Sequence, residues 1–217
     1  MKLYYVVASP NCRKVHSVIN HLSLDVEFEY LDFFSGDLAT PEFFAINSNG
    51  KVPVLTDGDF KLWESNAIMQ YLTSKVPATT LFPNDPKIRA DIARWQFWEQ
   101  AHYNQALGTI AFETVLKPQF NIGETNQAVV DSAIENLIQF AAVLDMHMQN
   151  KTFVVGDSVT LADYSLIHIE AFKDAIPFDW SNYPNLNAYY DRMRADPHWA
   201  KTAPESVEAI GRKPATA

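Results

Sequence analysis

The chain is poor in cysteine: among its 217 residues only Cys12 carries a thiol. A single cysteine excludes an intramolecular disulfide and any zinc site built from several thiolates, so we expect no bound metal. Basic residues are also scarce, with 17 Lys and Arg against 26 Asp and Glu and a formal net charge of -9. Because nucleic-acid-binding surfaces normally carry a basic stripe, we expect no nucleic-acid partner.

Long apolar runs are missing as well, and we expect no signal peptide. No apolar stretch approaches the roughly 20 residues that a transmembrane helix requires. Strand-like sequence begins at Leu3, which leaves no room for the charged and apolar regions of a signal peptide. We therefore expect a cytoplasmic protein that does not associate with membranes.

The first 75 residues mix strand and helix patterns in the order βαβ, then a short helix, then ββα. Strand patterns cover residues 3–7, 26–31, 54–56 and 60–63, and helix patterns cover residues 13–22, 41–46 and 65–74. Asp57-Gly58, between the last two strands, is a strong hairpin signal. This order predicts a mixed four-stranded sheet, because a βαβ unit pairs its strands in parallel and a hairpin adds antiparallel strands.

A change of composition follows this segment. Three prolines, Pro77, Pro83 and Pro86, mark a linker, and the remaining sequence has helical periodicity. One long helix is predicted from Pro86 to about residue 116, and further helices are predicted around residues 130–144, from Thr160, and after residue 184. We expect an α/β domain over residues 1–77, an all-helical domain over residues 86–217, and disorder over residues 211–217.

The segment Ser9-Pro10-Asn11-Cys12 has the pattern of a redox motif whose first cysteine is replaced. A Cys-x-x-Cys between a strand and a helix is typical of thioredoxin-like thiol chemistry. Ser9 cannot form a disulfide, although the helix N-terminus that would stabilise a thiolate is retained. The pattern therefore indicates a site that binds the sulfur of a ligand.

A second segment, Asn49-Gly50-Lys51-Val52-Pro53, places a proline directly before a predicted strand. In thioredoxin-like sheets such a proline is typically cis, and an extended peptide can pair with the residue before it as an added strand. Val52 would then pair with the ligand backbone, and Lys51 would meet a terminal carboxylate. The alternative is a plain loop-to-strand turn with a solvated lysine.

The third segment is Glu64-Ser65, at the start of a predicted helix. Ser65 is either an ordinary N-cap or, with the first-turn N–H groups, a receptor for a carboxylate. In the second case Glu64 would accept hydrogen bonds from an ammonium group. Together the three segments match a ligand with a central thiol, a terminal carboxylate and an α-amino-acid head, which is glutathione.

Nearly the whole chain resembles a cytosolic glutathione S-transferase of the serine type, bacterial-like, with features of the nu, theta and delta classes. The segments at 9–15, 49–53 and 64–65 carry the resemblance, together with residues 156–163. The last of these is similar to the family's capping motif, in which Thr160 and Asp163 form a structural capping box. The resemblance implies a thioredoxin-like glutathione-binding domain, a helical domain with the hydrophobic acceptor site, and a homodimer.

The resemblance also implies roles for individual residues. The Ser9 hydroxyl would donate a hydrogen bond to the glutathione sulfur, which favours the thiolate and lowers its pKa. Lys51, Val52, Pro53, Glu64 and Ser65 would bind the rest of glutathione. Asn11 is either an ordinary helix cap or a second sulfur contact, as in nu-class relatives that often favour disulfide reduction or peroxide chemistry. Cys12, one turn into the helix, is expected to be buried and inert.

By family analogy, four side chains of the long helix line the acceptor pocket: Trp98, His102, Tyr103 and Phe112. An aromatic stripe at helical spacing also fits an ordinary core. The function implied is transfer of glutathione to hydrophobic electrophiles in detoxification. The alternatives are a glutathione-dependent peroxidase or disulfide-bond reductase, and a non-enzymatic binding protein of the same fold.

Overall fold

The protein divides into two compact units in the computed structural model, which describes residues 1–205 and 209–214. The first unit joins Met1–Pro83 with the residues from Ala195 onward, and the second is Asn84–Arg194. The sequence led us to place residues 195–217 with the helical domain, whereas the described part of this segment packs with the first unit.

A four-stranded mixed sheet organises the first unit. Its strands are β1 (Lys2–Tyr5), β2 (Glu27–Tyr30), β3 (Val54–Asp57) and β4 (Phe60–Trp63). They lie in the order β2-β1-β3-β4, with β1 and β2 parallel and the other pairs antiparallel. The predicted mixed sheet and its hairpin are therefore confirmed.

In the first unit α1 (Pro10–Leu22) lies between β1 and β2, α2 (Pro41–Phe44) lies between β2 and β3, and α3 (Ser65–Thr73) follows β4. Val15 and Val18 of α1 and Ile68 of α3 are fully buried, as are Leu3 and Val54 of the sheet. The buried side chains recur at helical spacing in α1 and at alternate positions in β1, whereas β3 buries two successive residues, Val54 and Leu55.

The structure departs from the predicted boundaries around α1. β1 ends at Tyr5, two residues early, because the chain turns over Val6 to Ser9. The helix begins at Pro10, three residues earlier than its apolar periodicity indicated. Proline suits the first helical position because its φ is already helical and it lacks an N–H that would be unpaired there.

The C-terminal residues also differ from the prediction of disorder. The backbone of Gly211 donates to the Val7 carbonyl at 2.9 Å and accepts from the Phe33 N–H at 2.8 Å. Residues 215–217 of the predicted disordered segment lie outside the described residues. The short helix α10 (Pro197–Ala200) also belongs to the first unit.

The second unit is helical, as predicted. Its elements are α4 (Pro86–Trp98), α5 (Asn104–Ala111), α6 (Lys117–Phe120), α7 (Gln127–Met148), α8 (Leu161–Ile167) and α9 (Pro184–Arg194). Two π-helical turns, Glu99–Tyr103 and Phe112–Leu116, join α4, α5 and α6 into the long helix expected from the sequence. Within the described ranges, no helix combines the length and apolar character needed to span a bilayer.

Candidate functional site

Ser9 lies at the junction of a tight turn and α1. Its N–H donates to the Val6 carbonyl at 3.1 Å, which closes a four-residue turn whose third residue, Ala8, has a φ of 61°. Glycine or asparagine normally occupies that position, since a positive φ is unfavourable for alanine. Ser9 is the N-cap residue of α1, yet its side chain makes no capping hydrogen bond. The hydroxyl is therefore not used to complete the helix.

The electrostatics around Ser9 favour a negative charge. The first turn of α1 contains no acidic residue, so the positive end of the helix dipole is not neutralised locally. The thiol of Cys12 is fully buried and hydrogen-bonded with the Ser9 side chain. Burial raises the pKa of this thiol to about 11, although the bonds with Val6 and Ser9 lower it. Cys12 stays protonated at neutral pH, in agreement with the expectation of an inert thiol.

Asn11 contacts the third predicted segment. The Ser65 hydroxyl donates to the Asn11 side-chain oxygen at 3.0 Å, and only 3% of Ser65 is exposed. The helix cap considered for Asn11 is wrong, because Ser9 holds that position. The N-cap considered for Ser65 is also displaced by one residue: Glu64 is the cap of α3, with a φ of 71°, and Ser65 is the first helical residue. The two segments thus meet through their side chains.

The second predicted segment reaches the same end of the sheet. The Val52–Pro53 peptide is cis, as expected; Pro53 is buried and Lys51 is exposed. Val54 pairs with Tyr4 of β1 and Trp63 of β4. Extending both registers by one residue places Pro53 beside Tyr5 and Glu64. Tyr5 is followed by the turn that ends at Ser9, and Glu64 directly precedes Ser65. The sheet topology therefore brings all three segments together.

Gly50 shapes this segment in a way that the sequence reasoning missed. Its φ is 60°, and a Cβ there would lie 2.9 Å from Cε1 of Phe44 and 3.4 Å from the Leu38 carbonyl oxygen. The Asn47 side-chain amide donates to the Lys51 carbonyl at 2.8 Å and fixes the next residue. A glycine directly before Lys51-Val52 was the available signal, since glycine is the usual residue where the backbone needs a positive φ.

The four predicted acceptor residues, all in the second unit, do not share one environment. Tyr103 is 0% exposed and its hydroxyl lies 2.8 Å from that of Tyr190, so it is a core residue rather than a pocket wall. His102, beside the Phe140 ring, lines a cavity of about 590 Å³, and Trp98 lines another of about 380 Å³. Phe112 is 43% exposed, with the Lys117 ammonium 5.7 Å from its ring centre.

The capping motif predicted at residues 156–163 is present in the second unit. The Asp163 carboxylate accepts from the Thr160 N–H at 2.8 Å, the Thr160 hydroxyl at 3.0 Å and the Val154 N–H at 2.9 Å. Burial raises the pKa of Asp163 to about 6, against the lowering effect of these bonds. No cluster of three or more His, Cys, Asp or Glu suited to a metal ion occurs among the described residues.

Comparison with known proteins agrees with this geometry. The glutathione S-transferase N-terminal domain family matches residues 3–80, and the C-terminal domain family matches residues 103–197. Glutathione S-transferase 3 of Zea mays is 31% identical over 210 residues, covering 93% of this chain and 92% of the maize protein. The chain belongs to the glutathione S-transferase family.

Solved structures of the family share the fold of this member. Glutathione transferase F7 of Populus trichocarpa has a TM-score of 0.85 and 25% identity, covering 93% of this chain and 96% of the poplar chain. The theta-class enzyme of Xanthomonas axonopodis pv. citri, solved with glutathione bound, has a TM-score of 0.84 and 25% identity, covering 95% and 98%. The thioredoxin-like domain and the helical domain are those of the family.

Proposed function

We propose that this family member activates the thiol of glutathione through Ser9 and transfers glutathione to hydrophobic electrophiles. The observation that carries the proposal is the Ser9 hydroxyl at the N-terminus of α1, which makes no capping bond to the helix. Family membership supports glutathione as the substrate, and the Xanthomonas relative binds it. By family resemblance we further propose a cytoplasmic homodimer that acts in detoxification.

In this mechanism the Ser9 hydroxyl donates a hydrogen bond to the sulfur. The bond and the positive end of α1 both favour the thiolate over the thiol, so the pKa of the bound thiol falls. With a chloronitrobenzene acceptor, the thiolate attacks the carbon that bears chlorine. A sulfur–carbon bond forms, the carbon–chlorine bond breaks, and chloride leaves with the electron pair. The thiol proton passes to solvent, and the enzyme forms no covalent intermediate.

The remaining site residues would bind the rest of glutathione. Val52 would pair with its backbone, Lys51 would meet its glycine carboxylate, and Glu64 would accept from its ammonium group. Ser65 and the N–H groups of the first turn of α3 would receive the γ-glutamyl carboxylate. A serine hydroxyl has one proton, so this carboxylate would replace Asn11 as the acceptor for Ser65.

Asn11 is the residue that raised the peroxidase and disulfide-reductase alternatives. Its side-chain oxygen accepts from Ser65, which supports a role in orienting Ser65 for the γ-glutamyl group. We therefore propose conjugation as the main reaction. Reduction of a small disulfide that is faster than conjugation would reverse this assignment.

The substitution Ser9→Ala tests the proposal directly. We expect kcat/KM with a chloronitrobenzene acceptor to fall roughly 100-fold, as when one preorganised hydrogen-bond donor is removed. The pKa of bound glutathione, followed by the ultraviolet absorbance of the thiolate, should rise. Ser74→Ala, an exposed serine of the same unit, is the matched control. Unchanged thiol ionisation in Ser9→Ala would remove Ser9 from this role. Failure of the wild-type protein to bind glutathione in calorimetry would instead favour the alternative of a non-enzymatic binding protein of the same fold.

A further inference from the structure

Residues 209–213, which we call the C-terminal strap, lie between the loops that follow β1 and β2. The parallel pairing of these strands ends with the Leu31 N–H donating to the Tyr5 carbonyl at 2.8 Å. A continuing ladder would bring the Phe33 N–H to the Val7 carbonyl. Instead the Phe33 N–H donates to Gly211 at 2.8 Å, and the Gly211 N–H donates to Val7 at 2.9 Å. Gly211 thus lies between the two segments that diverge after β1 and β2.

The Val7 carbonyl belongs to the turn that precedes Ser9. Val7 and Ala8 are the two central residues of this turn, and Ala8 has the unfavourable φ of 61°. Such a conformation persists only when the surrounding structure holds it in place. The Gly211 N–H supplies one of these restraints, because it holds the peptide group between Val7 and Ala8.

Gly211 is suited to this position in two independent ways. The Arg212 N–H donates to the Ala209 carbonyl at 3.1 Å, so Gly211 is the third residue of a turn and has a φ of 75°. A Cβ on Gly211 would also lie 3.1 Å from Cε2 of Phe34 and 3.5 Å from Cβ of Phe33. Both the backbone conformation and the available space therefore favour glycine.

Further contacts hold the strap and its neighbouring residues. The Arg212 guanidinium lies 4.6 Å from the ring centre of Phe34, and the Lys213 N–H lies 3.4 Å from the Asp32 carboxylate. On the other side of Ser9, the Arg13 guanidinium lies 4.1 Å from the ring centre of Trp199. Since the Arg13 N–H donates to the Ser9 carbonyl at 2.9 Å, C-terminal residues contact the chain both before and after Ser9.

We propose that Gly211 is a positioning residue for Ser9: its N–H holds the Val7 carbonyl and so sets the turn that presents the Ser9 hydroxyl to the glutathione sulfur. The inference rests on the proposed role of Ser9. Gly211 itself touches neither the sulfur nor the electrophile. Its proposed effect on the sulfur therefore passes through the turn from Val6 to Ser9.

The test is Gly211→Ala, compared with Gly36→Ala. Gly36 lies in the same unit, has a φ of 81°, and a Cβ there would meet nothing within 4 Å, so it controls for backbone strain alone. For Gly211→Ala we expect kcat to fall about tenfold while KM for glutathione changes less than about twofold, because only the sulfur contact is displaced. The pKa of the bound thiol should rise in this variant and stay at the wild-type value in Gly36→Ala.

Amide hydrogen exchange on the protein without glutathione provides a second readout. We expect exchange over residues 6–13 to be about tenfold faster in Gly211→Ala than in the wild type, with no change in Gly36→Ala. If Gly211→Ala does not fold, Arg212→Ala loosens the strap through Phe34 and should change the same readouts in the same direction, by about threefold.

The two proposals fail in different ways. If Gly211→Ala has the same amide exchange, kcat and thiol ionisation as the wild type, the positioning role is overturned. The proposed function would still stand if Ser9→Ala loses thiol ionisation. If the wild-type protein does not bind glutathione, the proposed function fails. In that case unchanged exchange over residues 6–13 would also overturn the restraint by Gly211, and faster exchange would support it.

Discussion

The N-termini of α1 and α8 differ in whether a side chain of the protein caps their backbone N–H groups. At α8 the Asp163 carboxylate accepts from the N–H groups of Thr160 and Val154, and all of these groups are buried. At α1 the N-cap hydroxyl of Ser9 caps no backbone N–H of the helix, although it is hydrogen-bonded with the Cys12 thiol, and Ser9 is only half-buried. The chain therefore caps the N-terminus of α8 with its own side chain and leaves that of α1 without a side-chain cap, as the proposed glutathione site requires.

The backbone conformation just before these helices differs as well. Thr160 has an ordinary extended conformation, with φ -127° and ψ 176°. Ala8, just before Ser9, has a φ of 61°, and Glu64, just before Ser65, has a φ of 71°. Unfavourable conformations of this kind cluster at functional sites, where other contacts hold them. This difference supports the proposed ligand binding at the helix ends of the first unit, whereas the end of α8 is stabilised by its own capping bonds.

The largest expected effect concerns Asp163. Because burial raises its folded pKa to about 6 from 3.8, the native state binds more protons than the unfolded state between these values. The free energy of unfolding should therefore fall by about 3 kcal/mol as pH rises through this window, and Asp163→Asn should abolish this fall. Urea unfolding of both proteins from pH 4 to 7 measures the difference.

Asp179→Asn is the control for this pH dependence. Asp179 is an exposed carboxylate of the same unit, and hydrogen bonds from Ser181 hold its pKa below the usual range. Its folded state binds fewer protons, so its contribution to stability rises with pH and has the opposite sign. A fall of equal size in Asp163→Asn and the wild type would contradict the assignment.

An intermediate effect is expected for Ser65→Ala, at the start of α3. The affinity for glutathione should fall about tenfold, or about 1.4 kcal/mol, because a donor to the γ-glutamyl carboxylate is lost. The melting temperature should change little compared with Asp163→Ala, and calorimetry and thermal unfolding measure the two quantities. A large loss of stability with unchanged affinity would place Ser65 with Asp163 instead of Ser9.

The smallest effect is expected for Tyr103→Phe in the second unit. Removal of its hydroxyl leaves that of Tyr190 buried without this partner, so the free energy of unfolding should fall by about 1 kcal/mol. Tyr190→Phe should cost a similar amount, and the double variant should cost less than the sum. Denaturant unfolding measures all three, whereas a loss of conjugation at unchanged stability would return Tyr103 to the acceptor site.

Sequence reasoning succeeded where the contact is local. Asp57-Gly58 predicted its hairpin, and the spacing of Thr160 and Asp163 predicted their capping box. Both depend on residues that are close together in the sequence. It failed where partners are distant. The bond between Ser65 and Asn11 has no local signature, and an aromatic residue at helical spacing, such as Tyr103, fits a core and a pocket equally well.

The turn before Ser9 was missed for a related reason. Val6 and Val7 are β-branched and favour a strand, and alanine gives no sign of a positive φ. The restraint on this turn comes from Gly211, near the other end of the sequence. Only the folded chain brings these residues together.

The bond between Gly211 and Val7 also has a consequence for protein synthesis. The ribosome makes the chain from the N-terminus, and domains generally begin to fold in that order. The strands and α1 of the first unit are complete once residue 83 has emerged, but the strap emerges only after the whole helical unit has been translated. A nascent or truncated chain that ends before residue 209 would contain every proposed glutathione-binding residue and still lack the contact that restrains the turn before Ser9.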